Sequence, residues 1–263
     1  MSTSPPNESM QLHLLSAFNN GIRFDSRKLT EYRPIKVEYG VSKTAEGSAR
    51  VKIGDTEVIA GVKLFVDKPY PDMPEDGSLM VGVELLPMAS PEFEAGPPDV
   101  QSIELARVVD RGIREAKAID TKKLCITVGE KVWIVSIDIC AINDDGNLLD
   151  AAGLASLAAL QDAVFPHYTG TKLDYRTKTD KRLPLTKLPV GVTVYKIGNN
   201  LFVDPSLVEE KVFDVRLTVT TIAGGVLCAL QKGGDGQLTL DEIKRMVELG
   251  SQKADELRKY LKA

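Results

Sequence analysis

The sequence predicts an α+β fold, and three observations carry that prediction. Apolar, β-branched stretches broken by glycine or asparagine turns recur four times, as β-hairpins require. Two internal segments and one closing segment have helical spacing instead. Hairpins outnumber these helices, which is an α+β arrangement. The 263 residues, 43% hydrophobic and 27% charged, suffice for a large core, and no linker-like shift in composition divides them. One domain is expected over residues 10–263, preceded by a disordered, proline-broken tail at 1–9.

Along the chain, "MQLHLLSAFNNG" reads as a short amphipathic helix stopped at Asn20-Gly21. "GSARVKIGDTEVIAGVKLFV" reads as two strands turning at Gly54-Asp55. Two proline-rich acidic loops follow at 67–78 and 91–99, and loops of that length are rarely mere connections. Asp99 can cap the next helix, "ELARVVDRGIREAKAID". "KLCITVGEKVWIVSIDICAI" gives two strands around Gly129-Glu130. "DAAGLASLAALQDAV" is a helix apolar enough to be buried on most sides, with Asp150 expected as its cap. Hairpins turning near Asn199-Asn200 and at Gly224-Gly225 precede a closing helix from Thr239, opened by a T-x-x-E capping box with Glu242.

The net charge of −4 gives the whole molecule no attraction for a polyanion, so any nucleic-acid affinity must be local. Three cysteines (Cys125, Cys140, Cys228), odd in number and lying in apolar stretches, suggest a reduced protein. His13 and His167 stand far apart without cysteine neighbours, which argues against zinc. "GGDGQLTLDE" places Gly236 and Glu242 like a calcium loop, but Gln231 and Gly233 fall where carboxylates belong. No cofactor and no metal are expected. No apolar run reaches membrane-spanning length and no leader pattern opens the chain, so a cytoplasmic protein is expected.

Two clusters could carry chemistry. Asp138, Asp144, Asp145 and Asp150 could serve acid–base or metal chemistry, although periodicity favours a turn and a helix cap. On the helix after Asp99, Arg107, Arg111 and Arg114 fall within an arc of roughly 60°, opposite Leu105, Val109, Ile113 and Ala116. Either they pair with Glu104, Asp110 and Glu115, or an anion such as a phosphate lies across them. Spacing alone leans towards the ion pairs.

Motifs spread over most of the length decide the family. "FDSRKLTEYRPI" is similar to D-G-R-x-x-x-E-x-R-P-I, the opening of the RNase PH family of phosphate-dependent 3′-to-5′ exoribonucleases. "GSARVKIGDTEVIAGV" resembles that family's first hairpin. "VGVELLPMASPEFEAGPPD" followed by the arginine helix resembles the non-catalytic RNase PH-like subunits of archaeal exosomes. The resemblance implies an RNase PH-like fold of hairpin-rich mixed sheets with two internal helices and a C-terminal helix.

Catalytic members carry D-G-G-T-R-T-A-A at a phosphate-binding helix start, where this chain has Leu148 and Leu149 for the threonine and arginine. Asp150, as a cap, would occupy the anion position itself. In the second signature, E-D-S-x-x-x-x-D-M-N-V, Glu210 keeps the first aspartate's place but Arg216 stands at the catalytic one. Asp214, two residues away, is the nearest substitute, and Ala229 replaces a further family glutamate. No catalytic residue is therefore expected. The resemblance implies a subunit alternating with a catalytic RNase PH-like partner in a hetero-hexameric ring, a trimer of heterodimers. RNA-binding cap subunits would dock on one face, with no membrane involved. By the same resemblance Arg107 and Arg111 hold the phosphates of single-stranded RNA in the central pore, and Arg114 shares their face. The alternatives are an exoribonuclease active on its own, or a structural subunit whose arginines pair with a partner's acids.

Overall fold

A computed structural model describes residues 8–262. The tail expected at 1–9 lies outside the described residues except for Glu8 and Ser9, which begin helix α1 (Glu8–Asn19).

Strands β1 (Ile35–Tyr39), β2 (Gly47–Ile53) and β3 (Thr56–Asp67) form an antiparallel meander. Its β2–β3 turn is where expected, with Gly54 at φ +59°, a left-handed conformation that glycine adopts without steric cost. β3 then pairs with β6 (Lys131–Asn143), and β4 (Ser78–Leu85) lies along β6 in parallel, Val81 opposite Ile137. The sheet runs β1-β2-β3-β6-β4, with short β5 (Cys125–Thr127) also on β6. A second sheet has the order β10-β9-β11-β12: β9 (Val190–Ile197), β10 (Asn200–Val203), β11 (Val215–Ile222) and β12 (Val226–Gly233). β7 (Val164–Tyr168) and β8 (Leu173–Arg182) make a separate ribbon.

Helix α2 (Val100–Glu115) opens as expected, the Asp99 carboxylate accepting from Ser102 N at 2.8 Å. It packs on β4, α3 and β12. Helix α3 (Leu148–Asp162) lies between the sheets, against β2 and β3 on one side and β9 on the other. Its alanines and leucines are buried nearly all round, as its composition foretold. α4 (Leu207–Glu210) is one turn, and α5 (Leu240–Arg258), opened by the Thr239–Glu242 capping box, covers β9 and β11. A single apolar core runs from β2 and β3 through α3 into β9 and β11, and a smaller one seats Leu14 and Phe18 of α1 on Tyr195 and Phe202.

Four strands went unread in the sequence, β1, β4, β7 and β8. β8 is almost wholly exposed and shows no apolar alternation, while β1 is only five residues long. β4 puts apolar Met80 on its exposed face, which blurs its period. Glu242 of the supposed calcium loop is engaged by Thr239 and by Lys196 Nζ at 2.8 Å.

Candidate nucleic-acid interface

Asp150 does not cap α3. The chain turns left-handed at Gly146 (φ +86°) and Asn147 (φ +61°), so the helix begins at Leu148 with Asn147 as its cap residue. That rotates Asp150 into the core, where it accepts from the Tyr32 hydroxyl (2.6 Å) and from Thr193 N (2.8 Å). Burial raises its pKa to about 7. The carboxylate bonded at the start of α3 is instead Glu210, which accepts from Asn147 N at 3.0 Å and from the Tyr195 hydroxyl at 2.7 Å. The turn is clamped from behind by Asp204, which receives Arg27, Arg33 and Asn147 Nδ2 within 2.9 Å.

In front of this turn lies a cavity of about 250 Å³. Leu148 and Leu149 line it together with Leu105, Leu207, Phe93 and Phe213. Its two cations, Lys211 and Arg216, face four carboxylates, Glu92, Glu104, Asp144 and Glu210. Each cation is already paired: Lys211 with Glu92, and Arg216 Nη2 with Glu104 at 2.7 Å. Burial pushes the Asp144 and Glu210 carboxyls above their usual range. Both cations of the lining are thus already paired, and the Leu148 and Leu149 side chains offer a phosphate dianion no donor in their place. Asp214 does not substitute for Arg216. Its carboxylate accepts from Gly198 N (2.7 Å) and from Gln11 Nε2 (3.0 Å), which ties it to the β9–β10 turn and α1. The four acids of the 138–150 stretch are not one site: Asp138 is on β6, Asp144 faces this cavity, Asp145 pairs with Arg33 and Asp150 is in the core.

The arginines of α2 are all exposed, on the side away from Leu105, Val109 and Ile113. They are not equivalent. Arg114 is held by Asp110 (2.6 Å) and donates to Leu79 O (3.1 Å), the ion pair that helical spacing allowed. The hydrogen bond from Arg114 to Asp110 is what chiefly raises the arginine's pKa. Arg111 donates to the Gln231 side chain on β12 at 3.1 Å, a neutral acceptor that leaves its charge uncompensated. Arg107 has no ion pair among the described residues, because Glu104 reaches across to Arg216 instead. Of the three α2 arginines, Arg107 and Arg111 are thus the ones without an ion pair among the described residues.

Comparisons with known proteins agree with this architecture. A family model for domain 1 of the 3′ exoribonuclease family matches residues 31–166, and one for its domain 2 matches residues 187–253. The chain is 48% identical to exosome complex component Rrp42 of Methanocella arvoryzae, over 95% of this chain and 94% of that one. It superposes on a chain of the Archaeoglobus fulgidus exosome with RNA bound to the active site, with a TM-score of 0.89, 45% identity, and 96% and 97% of the two chains covered. A chain of an archaeal exosome core gives a TM-score of 0.84 at 40% identity, covering 96% of each.

Proposed function

Because the chain belongs to the 3′ exoribonuclease (RNase PH) family, we propose that it is the non-catalytic, RNA-guiding subunit of an archaeal exosome ring working in the cytoplasm. Its close relatives are named as exosome components, and its fold matches chains of assembled archaeal exosomes. The complex to which it belongs degrades RNA from the 3′ end. This chain would complete the ring and the interface of the catalytic RNase PH-like subunit. We treat residues 10–263 as one folding unit, since α3 is shared between the two sheets.

The observation that carries the non-catalytic reading is the cavity before α3, where leucines replace phosphate donors and every cation is neutralised by a carboxylate. Arg216 cannot act as a general base near neutral pH. The guiding role falls to Arg107 and Arg111. Guanidinium groups bind phosphate oxygens without reading bases, which suits an enzyme that degrades many sequences. Arg114 is committed to Asp110 and contributes less.

The test is an RNA degradation assay with and without inorganic phosphate, on the chain alone, on its complex with the catalytic partner, and on that complex carrying Arg107→Glu and Arg111→Glu. The chain alone is expected to be silent and the complex active. The reversed arginines should weaken RNA binding and make its salt dependence shallower, by about 0.7 per lost phosphate contact, while the ring stays assembled. Phosphate-dependent release of nucleoside diphosphates by the chain alone would overturn the non-catalytic reading. Unchanged salt dependence, or a ring that falls apart, would overturn the arginine assignment.

A further inference from the structure

The row of cations on α2 does not end on open surface. Beyond Arg114 it runs into a cavity of about 690 Å³ between the end of the helix, the start of β4 and the 3₁₀ turn Thr121–Leu124. The floor is apolar, built from Leu79, Ile113, Ile119, Leu124 and Val135. The rim is basic: Arg114, Lys117, Lys122 and Lys187. Two acids also line it: Asp120 is paired with Lys123 (3.3 Å), while Asp76 accepts from the neutral Thr121 hydroxyl (2.7 Å) and keeps its charge, so the cations outnumber the free carboxylates. Lys187 donates to Ala116 O at 3.0 Å, at the end of α2, whereas Lys117 and Lys122 are exposed and have no ion pair among the described residues.

The loop over 68–77 adds the second half of the arrangement. It carries Tyr70 and Met73 outward, 63% and 55% exposed, and Met73 lines the cavity. The loop is held in shape by backbone hydrogen bonds, one within it and two to neighbouring segments: Met73 N donates to Tyr70 O (3.0 Å), Gly129 N to Pro74 O (2.9 Å) and Gly77 N to Thr121 O (3.0 Å). A thioether side chain is therefore presented at the cavity, beside free cations and an apolar floor, with an exposed aromatic ring three residues earlier on the same turn.

We infer that this cavity and loop form a second contact for single-stranded RNA, taking one or two unpaired nucleotides beyond those on Arg107 and Arg111. Bases lie against Tyr70, Met73 and the apolar floor, and phosphates meet Lys117 and Lys122. Alternation of flat apolar surface with cations is what an unpaired strand needs, since every base has a stacking face and every link a charge. A volume of about 690 Å³ is ample for a nucleotide. Continuity with the α2 row favours RNA over a protein segment, and the inference rests on the guiding role proposed above.

The test uses the complex with the catalytic partner and a fluorescently labelled oligoadenylate, with affinity followed by anisotropy across salt and assembly by light scattering. Tyr70→Ala should weaken binding about fivefold or more, and Tyr70→Phe should retain it, because the ring and not the hydroxyl stacks. Lys117→Glu with Lys122→Glu should flatten the salt dependence by roughly 1 to 1.5 in slope. Wild-type affinity and slope in all three variants overturns the inference. Loss of the ring in the lysine variant also overturns it, and assigns the cavity to a protein partner. A parallel arm with Arg107→Glu and Arg111→Glu separates the two claims. If only that arm loses affinity, the pore arginines stand and the loop contact fails. If only the loop and lysine variants lose it, the arginine assignment fails.

Discussion

At the scale of single residues, Asp150 shows how burial turns a helix-start acid into a pH-sensitive one. The carboxyl has a reference pKa of 3.8 and sits at about 7 in the fold. Between those values the folded chain holds a proton that the unfolded chain has released. Stability is therefore greatest at the acid end of that window and falls as pH rises through it, by at most about 1.4 kcal/mol per pH unit. Asp150→Asn keeps an acceptor for Thr193 N and removes the titration. Urea unfolding of the variant at several pH values from 4 to 7 should lack the Asp150 contribution to the fall. A variant as pH-dependent as wild type would show that Asp150 does not titrate in this window. The arginines teach a related lesson. All three share a face in sequence, yet Arg114 alone is captured by its i−4 acid, while Glu104 goes to a strand 112 positions later. Spacing names the possible partners, and only the fold chooses among them.

Among elements, the seating of α3 on β2 sets the tightest constraint. A Cβ added at Gly47 would fall 2.3 Å from Ala159 O and 2.5 Å from Ala163 N, both backbone atoms that cannot step aside. Gly47→Ala is expected to cost about 3 kcal/mol or more, read as a lowered midpoint in chemical denaturation. Gly153, on the same helix, meets no atom within 4 Å outside the helix's own backbone. There the substitution only relieves the entropic penalty of a helical glycine, so Gly153→Ala should stabilise by roughly 0.5–1 kcal/mol. Equal effects at the two glycines would contradict the packing of α3. Elements with strong periodicity or clear turn residues, such as β2–β3, α2 and α5, were legible in the sequence. β8 was not, because an exposed ribbon has no buried face to impose a period on its side chains.

For the whole molecule, the charge balance and the family place matter together. With a net charge of −4, the chain offers RNA no general attraction, so in the proposed guiding role it would rely on a short row of cations. In a closed ring several such rows would face one strand, and linked contacts strengthen one another without any new chemistry. The isolated chain is therefore expected to bind oligoadenylate at least tenfold more weakly than the assembled complex at the same salt. Equal affinity, measured by anisotropy, would mean that the ring adds nothing to guidance.

The sequence by itself determined the family, the α+β class, the principal hairpins and where the chain departs from the family's phosphate-binding and catalytic signatures. Each is written in local residue order: turn residues, periodicity, and the leucines at 148 and 149. The tertiary structure decided which charges are free. It turned Asp150 into the core, tied Asp214 to Gly198, gave Glu104 to Arg216, and left Arg107 without an ion pair among the described residues. It also brought the 68–77 loop beside the end of α2. The reason is physical. A charge is neutralised by whatever lies within a few ångströms, and at these sites those neighbours come from strands and helices far apart in the chain.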